Sequence, residues 1–216
     1  MKGLNQISLF FNVEEKVLEQ IARFSFLKRY KKGEVIFYEG EEGNYFYGVL
    51  EGEILLYESN EKGEIIPRMQ MEKGEIFGLI AQIQNRPYCL SALAQTNLVV
   101  VGIDYRRFSH YLSLPPFSIR IIKMLSYQIY QQMEFSKIAK YNASKRVLFT
   151  LKKFPYKFKK LKRYMLAKEL NMTPETLSRI LSNFKSRGIV MEENRELKLV
   201  EKGTRFIEID KKNKRQ

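Results

Sequence analysis

The 216-residue sequence contains one cysteine, Cys89, one histidine, His110, and no tryptophan. A lone cysteine forms no internal disulfide, which fits a reducing cytoplasm. One histidine is too few for a histidine-rich metal site. One histidine and one cysteine also leave little for a Ser–His or Cys–His relay. A Gly-x-x-x-x-Gly-Lys-Ser/Thr phosphate loop is missing as well. The expectation is a protein that is not an enzyme. No apolar run is long enough to span a bilayer, and the basic segments lack a Trp/Phe/Leu face. Ile7–Phe11 is a short apolar patch followed closely by acid, so no signal peptide and no membrane partner are expected.

Acidic residues are scarce in one part of the chain only. Residues 1–140 hold 17 basic and 16 acidic side chains, whereas residues 141–216 hold 21 and 8. Nearly all of the net charge of +14 therefore sits in the last third. A basic domain of this kind releases counterions when it docks on phosphate, and its binding falls with salt. Lysine runs such as Lys157 to Arg163 are often only a solvated surface. What lies beside this one makes the difference.

Thr173 can cap a helix whose first position, Pro174, needs no N–H donor. Leu177, Ile180, Leu181 and Phe184 then form one apolar face at helical spacing. Glu175, Ser178, Arg179 and Ser182 point the opposite way, short and polar, with one arginine able to bind guanine bidentately. Leu166–Asn171 is a short amphipathic helix just before it. The pair is a helix-turn-helix candidate, with double-stranded DNA as partner. Gly188 ends the second helix. Ile189–Met191 and Leu197–Leu199 can pair as a wing, and Lys145–Phe154 is an amphipathic helix ahead of the pair.

The rest of the chain reads differently. Asn12-Val13-Glu14-Glu15 has the form of a capped helix start, with Val13, Val17, Leu18 and Ile21 on one side. From about Lys32 to Ile103, short apolar runs alternate with glycines: Glu34–Tyr38, Tyr45–Leu50, Glu53–Tyr57, Ile65–Met71, Cys89–Ala94 and Leu98–Ile103. That texture predicts a barrel or β-roll. Phe108–Leu112 is a short helix that Pro115-Pro116 breaks. A long helix follows over about Phe117 to Tyr141. Ile122, Leu125, Ile129 and Met133 give it an apolar side for a second copy of itself, as a homodimer.

In order and spacing, several segments together resemble the cyclic-AMP receptor/fumarate–nitrate regulator family of bacterial transcription factors. They are Tyr30-Lys31-Lys32-Gly33-Glu34-Val35-Ile36-Phe37 with Glu39-Gly40, Leu50-Glu51-Gly52-Glu53-Ile54, Gly74-Glu75-Ile76-Phe77-Gly78, Arg146, and Glu175-Thr176-Leu177-Ser178-Arg179. The resemblance covers almost the full length. It implies an α+β chain in three parts: a double-stranded β-helix, or effector-sensing β-roll, over 1–114, a dimerisation helix over 115–141 and a winged helix-turn-helix over 142–216. It implies that Glu175, Ser178 and Arg179 read bases of a TTGA-type palindrome. Thr173, Pro174, Thr176, Ser182, Lys160 and Lys185 would support them, and RNA polymerase would be a further partner. Pro174 departs from the usual residue before the glutamate and leaves the outer base of the half-site open.

The sensor departs from the family pattern. Cyclic-nucleotide binders of the family follow Phe-Gly with a ribose-holding Glu and later place an Arg on the phosphate. Here Phe77-Gly78 is followed by Leu79, and the Arg position is Tyr88, next to Cys89. Arg86, two positions earlier, could replace that cation only if the loop slipped. A desolvated phosphate without a cation is costly, so cyclic AMP is not the expected effector. A four-cysteine iron–sulfur cluster is excluded by the cysteine count. Haem stays open, with His110 as the sole imidazole, although such a histidine is more often a surface side chain. Cys89 is read as a small buried hydrophobe in a strand, with a thiol-redox or nitrosation role as the sharper alternative. Phe77, Leu79, Ile80 and Tyr88 suggest an apolar effector or an already packed pocket. Two rivals stand beside this reading. One is a cupin enzyme, which the histidine count opposes. The other is a regulatory β-roll acting on a protein partner, which does not account for the charge of residues 141–216.

Overall fold

The computed structural model describes residues 3–155, 157–158, 161–193 and 196–200. The chain divides into two compact units, Met1–Ser126 and Tyr127–Gln216. Lys160 lies outside the described residues.

The first unit is built on two antiparallel four-stranded sheets. One runs β1 (Ser25–Tyr30), β8 (Leu98–Asp104), β3 (Tyr45–Glu51), β6 (Ile76–Phe77). The other runs β2 (Val35–Phe37), β7 (Ser91–Ala94), β4 (Glu53–Ser59), β5 (Ile65–Glu72). Neither sheet closes on itself, so of the two architectures expected the β-roll is the one observed. The alternation of side chains along a strand makes two cores from one sheet. On β3, Phe46 and Leu50 join a cluster with Leu4, Ile7, Phe10, Ile21 and Phe108, while Tyr47 and Val49 face an aromatic interior. On β8, Val101 and Ile103 take the first side and Leu98 and Val100 the second. The first cluster is roofed by two 3-10 turns (Leu4–Gln6 and Ser8–Phe10) and by α1 (Glu15–Ala22), and a short helix, α2 (Leu79–Ile83), follows β6.

Several expectations need correction. Asn12 does not cap α1: it stands at φ 52°, and Glu14 takes the cap position without a side-chain bond. β1 and β6 were not expected. β1 has Lys28 and Arg29 within a run of exposed residues, so its sequence shows no clean alternation. Pro115-Pro116 does not break a helix but begins one. α4 spans Pro115–Ala139, and a proline in the first turn gives up no intrahelical hydrogen bond. Ahead of it lie a four-residue helix, α3 (Tyr105–Phe108), and a 3-10 turn, Ser109–Ser113.

In α4, Phe117 and Ile121 are buried with Phe10 and Phe108. Leu125, expected on the free side, is only half exposed and packs on that same core. Ile122, Ile129 and Met133 are 61%, 59% and 57% exposed, far above the norm for residues of their kind.

The second unit packs three helices and a hairpin around Leu148, Leu151, Leu166, Leu170, Leu177, Leu181 and Phe184. The helices are α5 (Ala143–Lys153), α6 (Arg163–Glu169) and α7 (Pro174–Ser186). Asn142 caps α5 through Lys145 N–H at 3.0 Å. After α7, Gly188 adopts φ 64° and Ile189 N–H returns to the Phe184 carbonyl at 2.9 Å, a left-handed stop that leads into the hairpin β9 (Val190–Glu193) and β10 (Glu196–Leu199).

Candidate functional site

Two places carry the chemistry singled out above: the outer face of α7, and the interior of the β-roll.

At α7 the backbone is set from both ends. Thr173 Oγ1 accepts the Thr176 N–H at 3.2 Å, and Pro174 holds the first helical position. Behind it the turn between α6 and α7 passes through Asn171 at φ 51°, a left-handed position that asparagine tolerates better than most. Arg146 fastens this turn from α5. Its Nε donates to the Leu170 carbonyl at 2.8 Å, Nη2 to the Asn171 carbonyl at 3.1 Å and Nη1 to the Tyr141 carbonyl at 2.8 Å. Tyr141 itself stacks on Phe149, ring centroids 4.7 Å apart. The arginine in the first helix of this domain is therefore a clasp on three backbone carbonyls.

With α7 so held, Leu177, Ile180, Leu181 and Phe184 are buried, and Glu175, Ser178, Arg179 and Ser182 are exposed. Thr173 and Pro174 are exposed and Thr176 is half-buried. The Glu175 carboxyl is held below the usual range by its own backbone N–H and by Thr173, so it stays an acceptor at neutral pH. Arg179 makes no hydrogen bond or ion pair among the described residues. Lys162, Arg163, Lys168 and Arg187 are exposed in the same unit. Lys185 is exposed too, but it is ion-paired with Glu192 of β9, which its sequence position did not suggest.

The interior of the β-roll is lined by packed aromatic rings. Tyr88 is buried, and its ring stacks on Phe37 with centroids 3.7 Å apart. Phe37, Tyr47 and Phe77 stack or tilt against one another at 5.2–5.8 Å. The Tyr88 hydroxyl donates to the Tyr45 carbonyl at 2.6 Å, and burial pushes the hydroxyls of Tyr47 and Tyr88 up in pKa. The ring needs Gly43 beside it, where a Cβ would fall 2.3 Å from the Tyr88 oxygen, and Gly78 also lies against it. Phe37, Tyr47, Phe77 and Tyr88 thus form one packed aromatic cluster.

Other candidates are not part of this interior. Leu79 is buried, but in the cluster beneath the N-terminal turns, and Ile80 is exposed. Arg86 is exposed, and no slipped loop brings it inward. Cys89 is not a buried strand residue: it is exposed, in a bend before β7. Tyr88 takes the inward direction, and its neighbour turns out. His110 is exposed in the 3-10 turn before α4. Among the described residues no three His, Cys, Asp or Glu side chains come together as a metal site, and no helix is long and apolar enough to cross a membrane.

Known proteins share both parts. The family model described as "Cyclic nucleotide-binding domain" matches residues 27–113, and the one described as "Crp-like helix-turn-helix domain" matches residues 146–209. The HTH-type transcriptional regulator ArcR of Staphylococcus epidermidis is 23% identical over 208 residues, 90% of each chain. A mutant of CooA from Carboxydothermus hydrogenoformans has the same fold with a TM-score of 0.69 at 20% identity, covering 90% of this chain and 91% of that one. FixK2 from Bradyrhizobium japonicum aligns with a TM-score of 0.62 at 20% identity, over 81% and 92%.

Proposed function

The chain belongs to the cyclic-AMP receptor/fumarate–nitrate regulator family of transcription factors, and from that membership we propose that it acts as a homodimer reading a TTGA-type palindrome through α7, under a signal other than cyclic AMP. Regulators of this family bind DNA through the helix-turn-helix. The finer reading assigns guanine O6/N7 to Arg179, a cytosine amino group to Glu175 and either partner to Ser178, the pairings their donors and acceptors favour. The observation that carries it is the division of α7 into a buried apolar face and an exposed face bearing those three side chains. The alternative, a β-roll acting on a protein partner, leaves that face and the basic charge of residues 141–216 without a use. Contact with RNA polymerase belongs to the proposal by family likeness alone.

Arg179→Ala is expected to cost about 1–3 kcal/mol of specific binding and to relax the preference for guanine. Competition gel shifts on a TTGA palindrome and on versions with the guanine changed would measure both. Specific binding that survived the substitution intact would move the reading face elsewhere.

The homodimer reading rests on α4. Ile122, Ile129 and Met133 leave an apolar stripe on its free side, and a second α4 across a two-fold axis is the simplest cover for it. A signal from the β-roll would then pass along α4, which takes part in both compact units.

Cyclic AMP does not fit the residues present. A cyclic nucleotide would meet the Tyr88 ring where its phosphate needs a cation, and Leu79, buried in the other cluster, stands in sequence where the ribose-holding carboxylate is needed. Calorimetry with cyclic AMP is expected to show no heat of binding, and micromolar affinity would overturn the assignment. A haem would take His110, exposed in the turn before α4, or a methionine or backbone nitrogen as its protein ligand.

A further inference from the structure

The hairpin after α7 carries the wrong charge for gripping phosphate. β9 ends in Glu192-Glu193, and β10 begins at Glu196, in an otherwise strongly basic unit. Glu193 takes Lys198 across the hairpin at 2.7 Å. Glu192 takes Lys185, from the last turn of α7. Lys185 stands three positions after Ser182, which stands four after Ser178, so the three share one helical stripe. If α7 is the base-contacting helix, a lysine there would be placed to meet a phosphate beside the bases read by Arg179. Its ammonium is instead turned to the hairpin. The Glu192 carboxyl is held low by that hydrogen bond and charge, with a further pull from Arg163 at the start of α6.

We infer that Glu192 restrains DNA affinity by holding Lys185 away from phosphate, so that a phosphate contact from this lysine is made only by giving up the pair. The inference rests on the reading of α7 as the base-contacting helix. Phosphate contacts supply essentially all non-specific binding and carry no sequence information directly. Both partners of the pair are well exposed, at 42% and 47%, so the pair is screened and gives way to a stronger competitor. In a specific complex the base contacts fix the register, and a phosphate stays within reach long enough to displace the carboxylate. In a loosely docked complex no phosphate stays there, and Lys185 remains with Glu192.

The test is a salt titration of binding to random duplex and to a TTGA palindrome with the full-length protein. Glu192→Gln is expected to tighten random-duplex binding by about fivefold, the upper end for an exposed pair. It is also expected to steepen the dependence on salt by about 0.9 in log–log slope, one more neutralised phosphate. Palindrome binding should tighten by at least as much, because there the pair is broken on binding and its cost is removed. Lys185→Ala alone should leave random-duplex binding unchanged, and Lys185→Ala combined with Glu192→Gln should lose the gain. An unchanged slope in Glu192→Gln, or a gain kept in the double variant, overturns the inference, because the effect would then not run through Lys185. If the unmodified protein retards no duplex at low salt, the DNA reading itself fails, and the two failures are told apart.

Discussion

Tyr88→Ala is expected to destabilise the β-roll by about 3–5 kcal/mol, the range for removing a large aromatic from a packed core. The ring is buried, stacked on Phe37 at 3.7 Å and seated against Gly43 and Gly78. Those two neighbours are glycines, so little around the site can move in to fill the space. Tyr88→Phe separates the ring from its hydroxyl. It should cost only about 1 kcal/mol, the worth of the bond to the Tyr45 carbonyl. Urea denaturation followed by far-UV circular dichroism would measure both. The cavity left in Tyr88→Ala would be lined by Phe37, Tyr47 and Phe77 with the Tyr45 carbonyl facing it, a site shaped for a small aromatic that carries a hydroxyl donor. Phenol at a hundred times its dissociation constant should return about 2.7 kcal/mol to the variant and nothing to the parent. A loss below about 1 kcal/mol would mean that the ring does not fill the site. The proposal that cyclic AMP is not the effector would then lose its steric support, leaving only the missing glutamate and arginine.

What the sequence made legible, and what it did not, follows from how local each cause was. The buried stripe of α7 and its cap are set within one helix by residues three and four apart, so they could be read off directly. The β-roll was legible through its glycines, which mark turns whatever their partners. β1 was not, since as an edge strand it exposes Leu27, Lys28 and Arg29 and shows no alternation. The apolar run Cys89–Ala94 points to a buried Cys89, but the strand begins only at Ser91 and the inward place before it goes to Tyr88. That a tyrosine stands where the family keeps an arginine was visible. That its ring packs in the interior depends on Phe37, brought to it from fifty residues away by the sheet. The Lys185–Glu192 pair was hidden for a like reason, since it crosses the left-handed turn at Gly188 and no helical spacing joins its partners. Leu125 belonged by period to the free side of α4, but the helix is apolar on more than one side, and only the packing decides which side the core takes.

Arg146→Ala should cost about 3–4 kcal/mol and lower the melting temperature of the DNA-binding unit by more than about 10 °C, since in a unit of this size each kcal/mol is worth about 4–8 °C. The guanidinium serves three carbonyls at once: that of Tyr141 beyond the end of α4, and those of Leu170 and Asn171 in the turn between α6 and α7. A hydrogen bond from a charged donor is worth about 1.5–3 kcal/mol, and a half-buried carbonyl left without it also loses solvation. The three bonds are not additive, and the one to Asn171 is exposed, which keeps the total below their sum. Arg146→Lys should recover less than half, because a single ammonium cannot span three acceptors that a planar fork reaches together. Asn171→Gly offers a second handle. It relaxes the left-handed residue at φ 51° and should return about 0.5–1 kcal/mol to the Arg146→Ala chain, if the clasp acts by holding that turn. The contrast with Arg179 is what makes the pair of substitutions informative. Arg179 makes no bond among the described residues, so its removal should leave the melting temperature in place while specific binding falls. Removing Arg146 should lower DNA affinity only in step with the folded fraction. If Arg146→Ala melts within about 2 °C of the parent yet binds DNA poorly, then the arginine reaches the duplex itself, and its role as a clasp on the helix-turn-helix is wrong.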